Sequence, residues 1–105
     1  MRLYVDTSRV TFTVTKNPEP KNDQNGQQKH RKDDGAPMWV TQVMALDEET
    51  GGEMLSVTVA GQRPEASVGQ MVAPAALEAI PWATNGRHGV AYRAEELRVL
   101  SGVEQ

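Results

Sequence analysis

The sequence has no cysteine, and among its 105 residues there are one phenylalanine, two tyrosines and two tryptophans. Without cysteine there is no disulfide staple and no thiolate metal site, so the fold must hold by burial. Long apolar runs are missing too. The opening residues, Met1-Arg2-Leu3-Tyr4-Val5-Asp6, resemble neither a signal peptide nor a membrane span, so a cytoplasmic location with no membrane partner is expected. No G-x-S-x-G elbow, P-loop or G-x-G-x-x-G fingerprint occurs, which removes the commonest catalytic and nucleotide motifs. His30 and His88 stand in separate loops without a spaced partner, so no metal or other cofactor is expected. The pairs Glu48-Glu49 and Glu95-Glu96 sit beside turns and read as solvated surface. The chain is not expected to be an enzyme. The net charge of −3 excludes coating a polyanion by bulk charge, so any such contact needs a local basic patch.

What is present reads as β structure in one domain spanning 1–105, a length sufficient for a modest core. Val10-Thr11-Phe12-Thr13-Val14-Thr15 alternates strictly and predicts a half-buried strand with Val10, Phe12 and Val14 inward. From Lys16 to Ala36 the composition turns polar, and a flexible loop is expected there. It holds the cations Lys16, Lys21, Lys29, Arg31 and Lys32, of which Lys16, Lys29, Arg31 and Lys32 are candidates for phosphate contact; a solvated hairpin tip is the competing reading. Met38–Leu46 predicts a second strand that is apolar on both faces, which suits a functional outer face or a homodimer contact. Glu53–Ala60 predicts a third strand with Leu55, Val57 and Val59 inward. The turn between them carries Asp47, Glu48, Glu49 and Glu53 and is expected to point away from any nucleic acid.

Val68 to Leu100 organises the rest. A strand-like run from Met71 to Ile80 leads through Pro81-Trp82-Ala83 into Thr84-Asn85-Gly86-Arg87-His88-Gly89. Asn-Gly tolerates positive φ and signals a hairpin. A second run reaches Tyr92 and resumes at Leu97–Leu100. Pro74 and Pro81 suit a kinked or edge strand, and Arg93–Glu96 a bulge or a single turn. Trp82, Arg87, His88, Tyr92 and Arg93 make an aromatic and cationic finger with no carboxylate from Ala79 to Ala94. Aromatic faces stack bases while Lys and Arg track phosphates.

The run Gly69-Gln70-x-Val72, Leu77-Glu78, Trp82, Gly86-Arg87-x-Gly89, Tyr92 and Leu97-x-Val99-Leu100 resembles the last two strands of bacterial and filamentous-phage OB-fold single-stranded-DNA-binding proteins. The whole chain also resembles small regulatory proteins of actinobacterial integrative plasmids. The resemblance implies a five-stranded Greek-key OB barrel with a long flexible loop between strands one and two; a five-strand antiparallel sandwich or an SH3-like barrel is the alternative. It implies a sequence-tolerant single-stranded-DNA-binding protein, DNA favoured over RNA, serving replication or transfer of a mobile element. Trp39 and Trp82 fall on its base-stacking positions; the competing readings are a core or dimer-interface Trp39, a Trp82 packed against the kink at Pro81 and a Tyr92 buried in its strand. The chain departs in its few aromatics and in its short tail, residues 101–105, which lacks an acidic, Phe-ended terminus. A non-enzymatic regulatory or protein-interaction module on the same small barrel is the alternative.

Overall fold

The computed structural model describes residues 3–100, and over that range it is all-β, without a helix. The strands are β1 (Leu3–Tyr4), β2 (Val10–Pro20), β3 (Met38–Asp47), β4 (Gly51–Ala60), β5 (Met71–Ala75), β6 (Glu78–Thr84), β7 (Arg87–Arg93) and β8 (Glu96–Val99). They form one eight-stranded sheet in the order β1-β6-β7-β4-β3-β2-β5-β8. Only Ala94 and Glu95 separate β7 from β8, yet the two lie far apart in that order. The Ala94 N–H donates to the Thr58 carbonyl on β4, and the Glu95 N–H to the Ala75 carbonyl on β5. A chain that crosses from one side of the sheet to the other in two residues forces the sheet to curl, and the result is barrel-like.

The core lies inside the curl. Phe12 and Val14 from β2, Val43 from β3, and Leu55, Val57 and Val59 from β4 meet Val72, Leu77 and Leu97 there. The period-two pattern delivers these residues because alternate side chains point to one face of a strand. Where the polypeptide returns from β4 to β5 there is no helix; Ala66 joins the core and Pro64 is buried beside it in sequence. Among the described residues no helix is long and apolar enough to cross a membrane.

Eight strands replace the five expected, for local reasons. The run from Met71 to Ile80 breaks at Ala76, whose φ is +53°, so β5 and β6 are separate and kinked. The last expected strand divides at Ala94–Glu95, and Leu3–Tyr4 pairs with Ala79 and Glu78 as a strand of its own. The polar segment begins later than its composition suggests. β2 continues to Pro20, with register shifts between Val14 and Lys16 and between Lys16 and Glu19. Pro18 and Pro20 are tolerated because the strand is irregular there, and a proline lacks the N–H that a regular ladder needs.

The segment after β2 folds back on itself. The Lys21 N–H donates to the Met38 carbonyl, the Met38 N–H to Lys29, and the Lys29 N–H to Lys21, at 2.9, 2.9 and 2.7 Å. The Asp23 carboxylate accepts from the N–H groups of Asn25 and Gln27. These are the turns that Asn, Asp and Gly favour.

Candidate functional site

The hairpin of β6 and β7 turns through Asn85 and Gly86, with φ of +52° and +79°. That is the two-residue turn whose twist matches the strands it joins. Its outer part is a free ribbon. β1 pairs with β6 only at Glu78 and Ala79, and β4 pairs with β7 only at Tyr92 and Arg93. Pro81 can therefore sit in β6 without costing the sheet a hydrogen bond.

A two-stranded ribbon is marginal alone, and Trp82 packs it. Trp82 stands directly opposite Gly89. A Cβ built on Gly89 would lie 2.8 Å from Cζ2, 3.0 Å from Cε2 and 3.2 Å from Nε1 of the indole. The ring thus rests on bare backbone, which Gly89 alone permits. The Trp82 residue keeps 44% of its surface in solvent, so much of the ring remains available as a platform.

Beside Trp82 the ribbon diverges from β4. β4 and β7 are parallel and bonded at Val57–Tyr92 and Thr58–Arg93, and both run back from there in the same direction. The gap between them is a cleft of about 560 Å³, lined by Lys21, Val40, Glu53, Met54, Ser56, Thr58, Trp82, Val90 and Tyr92, among others. Thr58 marks its closed end. There the Lys21 ammonium donates to the Thr58 hydroxyl at 2.9 Å. Burial pushes the Lys21 pKa down, and the like charge of Lys29 adds to this. Among the described residues no carboxylate pairs with Lys21.

The expected site residues divide into groups. Trp82, Arg87 and His88 lie on the ribbon, Arg87 and His88 exposed at its tip. Among the described residues Arg87, His88, Lys29 and Lys32 have no ion-pair partner. Arg93 is committed instead to Glu78 across the ribbon, at 3.0 Å. Arg31 pairs with Asp34 at 2.7 Å, and Lys16 lies 3.6 Å from Glu19. Tyr92 lines the cleft but packs against the core. Trp39 is half-buried, and its indole N–H donates to the Gly61 carbonyl at 2.9 Å, away from the ribbon residues. Of the carboxylates grouped with the acidic turn, which the sequence reading points away from any nucleic acid, Glu53 lines the cleft. The two parallel strands leave their shared pairing on the same side, and that brings it there.

Two residues of the candidate site escape the sequence reading. In the sequence Lys21 is one loop cation among several; only its reach across 37 positions of sequence to Thr58 separates it from the rest. The place of Gly89 was available, because a two-residue turn at Asn85–Gly86 sets Trp82 opposite it. Among the described residues no group of three or more His, Asp or Glu could hold a metal ion. No protein-family model matches the chain, and no curated protein matches it in sequence.

Proposed function

We propose that this chain binds single-stranded DNA with little sequence preference, on an OB-type barrel. Five extended segments support the fold reading: β2, β3, β4, β5 with β6, and β7 with β8. In OB barrels the face of strands two and three and the loops on either side of it take oligonucleotides. The corresponding parts here are β3 and β4, the segment 21–37, and the ribbon. The observation that carries the reading is the exposed Trp82 ring on its Gly89 cradle, facing a cleft that also holds Lys21. Every base has a π-face, so a stacking platform is sequence-tolerant, and cations beside it take the phosphates. Arg87 extends the positive edge beyond the cleft, with the His88 ring beside it at the tip.

Titration with oligo-dT at low salt, followed by tryptophan fluorescence, tests this. Quenching that weakens with salt is the expected result. Trp82→Ala should weaken binding by about 1–3 kcal/mol, about equally across sequences. An absence of binding at low salt removes the reading.

A second reading, a protein-interaction module, is favoured by one feature. The β4 edge from Gly51 to Ser56 and the β7 edge from Arg87 to Ala91 have no strand partner on the cleft side, and Met54 and Val90 are exposed along them. Open strand edges accept an extended peptide or a second copy. A stable protein complex or dimer without oligonucleotide binding favours that reading.

A further inference from the structure

We infer that the Lys21 ammonium, held over β4 by Thr58 at the closed end of the cleft, is an anchoring site for a phosphate group. Three observations converge on it. The first is unmet hydrogen-bonding capacity. A lysine ammonium has three donors. One is used on the neutral Thr58 hydroxyl, and among the described residues no carboxylate takes another. A partly buried cation in that state favours an anion with several acceptor oxygens, because charge-assisted hydrogen bonds are the strong ones.

The second is rigidity. Lys21 springs from backbone held on both sides, its N–H on the Met38 carbonyl and its own carbonyl accepting from Lys29. The backbone of Lys29 is held in the same way, but only the Lys21 ammonium is also tied by its side chain, to Thr58, and so is placed before a ligand arrives. The third is position. Lys21 and Trp82 line one cleft, so a phosphate on the first and a base on the second can belong to one nucleotide chain. The burial that lowers the Lys21 pKa agrees with a site where an anion gains more than it would in open water.

The phosphate chemistry could come from a free phosphate or from the backbone of a strand; the strand as its source rests on the single-strand reading above, while the anchor itself does not. The experiment follows the Lys21 side-chain Nζ resonance of the full chain by NMR. Acetate, inorganic phosphate, oligo-dT and an abasic oligonucleotide of equal length are added to separate samples. In parallel, the salt dependence of oligo-dT binding is measured for Lys21→Met and Lys21→Arg.

Phosphate and both oligonucleotides should shift the Lys21 resonance, and acetate should shift it less than phosphate does. Lys21→Met should weaken oligo-dT binding about tenfold, and lower the log–log salt slope by about 0.7, one phosphate's worth on a single strand. Lys21→Arg should restore the slope. A shift with phosphate but no oligo-dT binding keeps the anchor and discards the single-strand reading. Equal shifts with acetate and phosphate overturn the phosphate assignment in favour of a carboxylate partner. A folded Lys21→Met chain with unchanged slope and affinity overturns the inference, as does a Lys21 resonance that none of the probes moves. If Lys21→Met does not fold, the resonance of the unmodified chain decides alone.

Discussion

Thr41 and Thr58 are the two buried polar side chains of the described chain, and substituting each by valine should move stability in opposite directions. Thr41 lies at the centre of β3, opposite Val57 on β4, fully buried, and its Oγ1 has no hydrogen-bond partner. A hydroxyl taken from water without a partner costs about 1–3 kcal/mol. Valine has nearly the same shape and replaces that hydroxyl by a methyl, so Thr41→Val should recover the lower half of the cost, about 1–2 kcal/mol. For a domain of this size each kcal/mol is about 4–8 °C in Tm. Thr58 is buried too, but its hydroxyl accepts from the Lys21 ammonium at 2.9 Å. Thr58→Val leaves that ammonium without its protein partner and should cost about 1–3 kcal/mol. Urea unfolding of the three chains, compared at equal m-value, measures both. The reasoning fails if Thr41→Val is destabilising by as much as Thr58→Val, since the buried hydroxyl would then have a partner.

Two further outcomes follow from single contacts. Gly89→Ala adds a Cβ within 3.2 Å of three Trp82 ring atoms, at a glycine whose φ is not positive; it should displace the indole, shift tryptophan emission to the red and weaken oligo-dT binding, while unchanged emission would mean that the ring does not rest on Gly89. Asp34 is held down to about 2, first by the hydrogen bond from Arg31 and then by the Ala36 N–H. A carboxylate depressed in the folded chain contributes stability that is full above its ordinary value and lost as pH falls through the folded one. The Arg31–Asp34 clasp should therefore persist at pH 4 and open only as the pH approaches about 2, and an Asp34 carboxyl that titrates in NMR near the ordinary value of about 3.9 would refute it.

The strand inventory was legible wherever one face is buried. Val10-x-Phe12-x-Val14 and Leu55-x-Val57-x-Val59 alternate, and all but Val10 are in the core, with Val10 half-buried against it. The Asn85–Gly86 turn was legible because its backbone demands residues that tolerate positive φ. The break at Ala76 was not, because alanine carries no sign of a left-handed conformation. The extension of β2 to Pro20 was hidden by composition: a polar, proline-bearing stretch pairs with β3 through register shifts, and nothing local announces that. In the candidate site, the aromatic and cationic types on the ribbon could be read in sequence. Their partners could not. Arg93 meets Glu78 and Arg31 meets Asp34 only once strand register and turn geometry set the distances.

The divergence of β4 from β7 also sets where a strand of nucleic acid could lie. Parallel strands leave a shared pairing in the same direction, so the acidic turn beginning at Asp47 and the tip with Arg87 and His88 stand on the two arms of one gap. Glu53 lines the β4 arm, while Lys21 stands at the closed end. On the single-strand proposal, a phosphate chain would be repelled from the β4 arm and drawn along the ribbon, from Lys21 past Trp82 towards Arg87, with the bases turned towards the indole and the apolar side chains of Met54 and Val90. The same proposal predicts that duplex DNA, whose bases are already paired and stacked on each other, competes poorly with oligo-dT, because it offers no free face to Trp82; equal competition would count against it.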